Sequence, residues 1–198
     1  MNVAHIYSFA PIADRNAEIL ILGSMPGRAS LAAGQYYAHA QNAFWRIISE
    51  LLQFDPASPY EVRVQALKSA RIALWDVLQS CRREGSLDSM IEADTQTAND
   101  FRTLFRTHPQ ITHVFFNGAK AEACFRQQVL REIDSRALLY TRLPSTSPAH
   151  ASLSYARKLE AWRTIPLPGQ SLSPPAGSLL PPSAPSLLAI VAEKVAAA

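Results

Sequence analysis

Residues 19–27 read ILILGSMPG, and residues 35–45 read QYYAHAQNAFW. Ile19, Leu20, Ile21 and Leu22 form an unbroken apolar run that stops at Gly23. Such a run predicts a strand buried on both faces, the pattern of a parallel sheet. Gly23, Pro26 and Gly27 work against a helix and predict a loop at the carboxyl end of that strand. In open α/β sheets this is the edge where ligands bind. The loop is dense in polar and aromatic groups: Ser24, Gln35, Tyr36, Tyr37, His39 and Asn42. Phe44, Trp45, Ile47, Ile48, Leu51 and Leu52 then recur at helical spacing, which predicts a helix over 43–53.

Outward from this stretch, strands and helices alternate. Asp55-Pro-Ala-Ser-Pro59 ends the first helix, and 60–70 reads as a second. Residues 72–78 read as a buried strand or strand–turn, 80–85 as a polar turn, and 86–91 as a short helical piece. A helix over 99–107 is expected to be capped by Asn99. Residues 111–116 form the second clear strand, ending at Asn117-Gly118, and 119–133 a helix. A third strand over 136–141 leads into the loop 143–148. A closing helix over 152–165 carries Leu153, Ala156, Leu159 and Trp162 on one stripe. The expected fold class is α/β, a three-layer α/β/α sandwich around a mostly parallel four-stranded sheet. Residues 1–165 are expected to be the domain. Residues 166–186 are dominated by Pro, Ser and Gly and read as a linker or tail; 187–198 read as a short helix that docks on the domain, stays unfolded or meets a partner.

A chain of 198 residues, 48% of them apolar, can bury one sizeable core. Its net charge of +3 permits an anionic partner without demanding one. Two cysteines are too few for a four-thiolate cluster or zinc site, and a disulfide is not expected. The five histidines show no metal spacing, and there is no Walker-type glycine loop. The first residues lack the basic-then-apolar pattern of a signal peptide, and no apolar run approaches ~18 residues. These features predict a cytoplasmic protein that meets no membrane.

The strand–GSMPG loop and the QYYAHAQNAFW block together resemble the first motif of the uracil-DNA glycosylase superfamily. The spacing from Gly23 to Trp45 is similar to that of the mismatch-specific uracil-DNA glycosylases, with their Gly-x-Asn-Pro-Gly loop and aromatic-Ala-His-x-x-Asn-x-Phe-Trp block. The GSMPG wording is closer to the hypoxanthine (deoxyinosine) DNA glycosylase branch. The blocks VFFNG at 114–118 and LPSTSP at 143–148 extend the resemblance over roughly residues 5–165. It implies a monofunctional DNA glycosylase of base excision repair. Such an enzyme flips a deaminated base, uracil or hypoxanthine, out of DNA, hydrolyses its N-glycosidic bond and leaves an abasic site. It needs no cofactor and no metal, and is expected to work on DNA as a monomer.

Tyr37 stands where the similar enzymes have their stacking aromatic, with Met25 and Phe44 as neighbours in the base pocket; Tyr36 and Tyr37 as plain core aromatics is the alternative. Asn117 is the candidate edge reader. Uracil presents O4 beside N3–H and hypoxanthine O6 beside N1–H, and an Asn amide offers a matching donor and acceptor. The alternative for Asn117 is an ordinary Asn-Gly turn. The water activator departs from the family pattern. Met25 occupies the position held elsewhere by Asn or Asp, and a thioether cannot activate water. Asn42 is the best remaining candidate, His39 the second, and Ser24 a poor base. Asn42 as a helix N-cap is the competing reading. In the loop 143–148 other branches have His or Asn where this chain has Ser145, so a strong leaving-group donor is missing. Ser145, Thr146 and Ser147 are candidates to hold a DNA phosphate, and Pro148, Ala149 and His150 to fill the gap left by the flipped base, with a plain surface histidine as the alternative for His150. Arg142, Arg157 and Lys158 either flank phosphates or are solvated charge. Two rivals remain: a damaged-DNA binding module without catalysis, and a serine hydrolase built on Ser145 or Ser147 with His150, which lacks a Gly-x-Ser-x-Gly elbow.

Overall fold

The computed structural model describes residues 5–133 and 138–167. Its strands are β1 (His5–Tyr7), β2 (Ile19–Gly23), β3 (Ile72–Asp76), β4 (Leu78–Arg82), β5 (Thr97–Ala98), β6 (His113–Asn117) and β7 (Leu139–Leu143). Its helices are α1 (Arg28–Ala33), α2 (Phe44–Leu52), α3 (Tyr60–Ser69), α4 (Phe101–Thr107), α5 (Ala119–Gln128) and α6 (Tyr155–Trp162).

The main sheet runs β3-β2-β6-β7, and every neighbouring pair is parallel. Every residue of β2 is buried, as an apolar run covered on both faces should be. Gly23 pairs with Asp76 and Asn117 with Leu143, so the carboxyl ends of all four strands meet at one edge. Aromatic contacts define the two outer layers. Phe44 of α2 meets Trp162 of α6 edge-on, and Trp45 meets Tyr60 of α3. On the other face Phe101 of α4 meets Phe125 of α5, and Phe125 packs on Phe116 of β6. The expected α/β/α sandwich is the fold.

Several boundaries differ from the sequence reading. A six-residue helix, α1, begins directly after Gly27, where only a loop is predicted; it ends at Gly34 in the left-handed conformation. The polar turn predicted at 80–85 is instead β4 and its exit. β4 pairs antiparallel with β1 and with β5 in a second, small sheet, and Ser80, Cys81 and Arg83 are buried. Its polar content hides the strand from any apolar pattern. Asp100, not Asn99, caps α4 by accepting from the Thr103 N–H at 2.9 Å. The Asn99 amide instead donates to the Asp76 carbonyl at 2.9 Å. The short helical piece at 86–91 is a single 3₁₀ turn, Asp88–Met90. The closing helix is shorter than predicted and starts at the Ser154 cap. Leu159 and Trp162 of its predicted stripe are buried but Ala156 is exposed. The third strand is β7, Leu139–Leu143, which runs past the predicted end at 141; residues 136–137 of the predicted 136–141 lie outside the described residues. Of the predicted extension at 166–198, all but Pro166 and Leu167 lies outside the described residues.

Candidate active site

A cavity of about 550 Å³ opens where the strand ends meet. The β2 loop lines it with Gly23, Ser24, Met25 and Pro26, and the segment before α2 adds Tyr37, His39 and Asn42. Asp76 enters from β3, Asp88 from the 3₁₀ turn, Asn117 from β6, and 145–150 from the loop after β7. A volume of this size fits a nucleobase with part of its sugar.

Aromatic packing fixes the two loops that frame the cavity. Phe44 is fully buried and stacks under Tyr37, with ring centroids 4.0 Å apart and planes 21° from parallel. It also meets Trp45 and Trp162 edge-on. The Trp45 indole N–H donates to the Tyr36 carbonyl at 2.8 Å, and the Trp162 indole N–H donates to the Pro144 carbonyl at 3.0 Å. One aromatic cluster therefore holds the Tyr36–Tyr37 segment and the Pro144 loop. Tyr37 takes a left-handed backbone conformation, φ 54°, unusual for a bulky residue and the kind of strain that collects at functional sites. Its hydroxyl is buried without a hydrogen-bond partner.

Gly23 permits the closest approach in the site. A Cβ on Gly23 would lie 2.3 Å from Asp76 Oδ1 and 2.9 Å from Tyr37 Oη, so any larger residue would have to displace the Asp76 carboxyl or the Tyr37 ring. Gly118, at φ 98°, leaves similar room for Ser145, whose Cβ would lie 2.9 Å away.

The sequence-derived candidates fall as follows. Tyr37, Met25, Asn42, His39, Ser24, Asn117 and the run from Ser145 to His150 all line the cavity. Phe44 does not reach it and supports Tyr37 from beneath. The Asn42 Oδ1 accepts from the Phe44 N–H at 3.0 Å, a turn at the start of α2 that leaves its amide N–H groups free to face the cavity. The His39 ring is exposed, and its Nδ1 accepts from the Gln41 N–H at 3.2 Å. The Ser24 hydroxyl donates to Asp88 Oδ1 at 2.7 Å. Asn117 and Thr146 exchange a pair of hydrogen bonds. Ser145 and Ser147 hydroxyls accept from the backbone N–H two residues on, at 3.2 Å each, and neither is bonded to a histidine among the described residues. Lys158 is buried, with its ammonium 3.4 Å from the Ser147 carbonyl; it braces the loop rather than reaching a phosphate. Arg142 pairs with Glu122 at 3.4 Å.

Sequence reasoning missed an acidic group at the floor. Asp76 is 3% exposed, its Oδ2 has no hydrogen-bond partner, and its pKa is pushed up to about 8 by burial and then by the nearby Asp88, with Arg83 opposing. Burial also raises Asp88, against the pull of the Ser24 hydroxyl and Arg83. Arg83 is itself buried, donates to the Pro26 carbonyl, and is lowered by desolvation. The signal available in the sequence was the acid that interrupts the apolar run Ile72-Ala-Leu-Trp-Asp-Val-Leu at a strand's carboxyl end.

Residues 10–165 match the model of the uracil DNA glycosylase superfamily. The chain belongs to that superfamily. A protein of Methanosarcina acetivorans named hypoxanthine DNA glycosylase is 39% identical over 161 residues, 79% of this chain and 95% of that protein. Its namesake from Methanosarcina barkeri is 42% identical over 114 residues, 57% of this chain and 71% of that protein. A solution NMR structure of a Methanosarcina acetivorans protein, provisionally named a uracil DNA glycosylase, superposes with a TM-score of 0.67 at 34% identity, covering 81% of this chain and 98% of that one. This superfamily member is an enzyme of the DNA glycosylase class, and DNA is its partner. Among the described residues no cluster of His, Cys, Asp or Glu could hold a metal ion, and no helix is long and apolar enough to cross a membrane. Cys81 and Cys124 are free, buried thiols.

Proposed function

We propose that this protein excises hypoxanthine, and uracil with it, from DNA as a monofunctional glycosylase. The observation that carries the reading is the meeting of Tyr37 and Asn42, from the segment before α2, with Asn117, from the end of β6, in one cavity at the carboxyl edge of the sheet. The names of the two Methanosarcina relatives support hypoxanthine as a substrate. The flipped base stacks on Tyr37, whose ring is held flat by Phe44. The C1′–N bond breaks with its electron pair going to the base, and a water then adds to C1′ and releases its extra proton to solvent. Because the sugar is already cationic, that water needs placing more than deprotonating. Asn42 places it, with His39 at the rim. The seryl and threonyl loop at 145–147 takes the flanking phosphate, and Pro148 to His150 enter the emptied stack. The protein acts as a monomer on DNA in the cytoplasm.

Labelled oligonucleotides carrying one inosine or one uracil, single- and double-stranded, test this after alkaline cleavage of abasic sites. Strand scission at inosine is expected. The second reading, damage binding without catalysis, rests on Met25 at the usual activator position; tight binding with no scission at either base would establish it instead.

A further inference from the structure

Asp76 is the last residue of β3 and faces Gly23 across the parallel ladder. It is nine-tenths and more buried, lines the base cavity, and leaves Oδ2 without a partner. Tyr37 Oη lies beside the same point next to Gly23, with the Asn117 amide as a polar neighbour. Buried polar groups are nearly always satisfied, so an unpartnered carboxyl oxygen on a cavity-lining residue marks where a ligand completes the bonding. The neighbouring polar groups are partly engaged. Asn117 spends one N–H and one carbonyl lone pair on Thr146, and Ser24 and Asp88 bond each other. The loop after β7 supplies no histidine or asparagine at Ser145 to meet the departing base.

We propose that Asp76 is a catalytic residue that, as a neutral carboxylic acid, donates its O–H to the keto oxygen of the flipped base and so stabilises the base as it leaves with the bonding electrons. This rests on the glycosylase reading above. When the C1′–N bond breaks, the electron pair spreads onto the ring keto oxygens, O6 of hypoxanthine or O4 and O2 of uracil. A hydrogen bond to that oxygen strengthens as the charge grows, which is the condition for lowering the barrier. The proton stays on Asp76 in the hydrogen bond, and the base takes its own proton from solvent on release. Adenine lacks a keto oxygen and gains nothing from this donor.

The carboxyl is kept neutral by its surroundings. Asp88 faces it from the 3₁₀ turn and Arg83 from the end of β4, while the hydroxyls of Tyr36 and Tyr37 face it from the segment before α2. Burial and the acidic neighbour outweigh the guanidinium, which donates through Nη2 to the Pro26 carbonyl and leaves Nε and Nη1 without a partner.

The test is single-turnover excision of inosine and uracil from oligonucleotides by the full chain, its Asp76→Asn and its Asp76→Ala variants, between pH 6.5 and 8.5. Circular dichroism and binding to abasic DNA are measured alongside. The wild type is expected to slow by about two- to fivefold toward pH 8.5 as the acid ionises. Asp76→Asn keeps an N–H donor, so it is expected to retain activity within about tenfold and to lose that pH dependence. Asp76→Ala is expected to fall by about 10²- to 10³-fold with abasic-DNA binding intact. An active Asp76→Ala, or a folded Asp76→Asn that is as slow as Asp76→Ala or keeps the wild-type pH limb, overturns the proposal while leaving the glycosylase reading standing. A wild type that cuts neither substrate overturns both. If Asp76→Ala does not fold, Asp76→Asn decides.

Discussion

Asn117 and Thr146 exchange two hydrogen bonds: the Asn117 amide donates to the Thr146 hydroxyl at 2.9 Å, and the Thr146 N–H donates to the Asn117 carbonyl at 2.8 Å. Thr146 is fully buried, and its own carbonyl accepts from the Ala43 N–H at 3.0 Å. One residue thus joins the end of β6, the loop after β7 and the start of α2. Replacing Thr146 with Ala keeps the backbone bonds but removes the acceptor of a half-buried amide donor, a loss of about 0.5–1.5 kcal/mol. Denaturant unfolding should show that loss. The excision rate should fall as well, because the same bond orients the amide beside the cavity.

Tyr37 is placed by Phe44 on one side and by its own left-handed backbone. Base–aromatic stacking contributes about 1–3 kcal/mol. Tyr37→Ala should therefore weaken binding to inosine-containing DNA by about tenfold or more. Tyr37→Phe, which keeps the ring, should stay close to wild type in binding. Titration of a fluorescent oligonucleotide measures both; equal affinity for the alanine variant would remove Tyr37 as the platform.

Asn42 combines a turn bond to the Phe44 N–H with a place on the cavity wall. If it places the water, Asn42→Ala should cut the single-turnover rate by about 10²-fold or more with DNA affinity preserved. As a turn residue alone, it should instead give a stability loss of about 1 kcal/mol and an unchanged rate. Thermal unfolding beside single-turnover kinetics separates the two.

Asp76 also makes stability depend on pH. Its folded pKa of about 8 lies above the ordinary carboxylate value of about 4. Between those values the folded chain holds a proton that the unfolded chain has released. Stability should therefore fall as pH rises from about 4 to about 8, and level off above. Asp76→Asn removes that contribution. The Tm of the variant relative to wild type should rise between pH 5 and pH 9, by roughly 2–4 °C for each kcal/mol removed. A Tm difference that stays flat, or runs the other way, would show that Asp76 is ionised in the fold.

The sequence alone determined the frame of the molecule. Ile19–Leu22 and Val114–Phe116 are apolar without interruption because both faces of the sheet are covered, and local composition is enough to reveal that. Gly23, Asn117 and the loop at 143–148 were readable as strand ends, and parallel strands bring such ends together. Tyr37, Asn42 and Asn117 were readable because their motifs are contiguous. Tertiary structure decided the rest. β4 carries too few apolar residues to show a period, and it exists because β1 and β5 pair with it. Arg83 fell within the polar turn expected at 80–85, yet it is buried against the Pro26 carbonyl. The Asp76 carboxyl lies beside Gly23, 53 residues away in sequence, only because β2 and β3 pair in that register. No local pattern encodes which acid a distant glycine makes room for. Burial and register are properties of the packed sheet, and they set the charge state of Asp76.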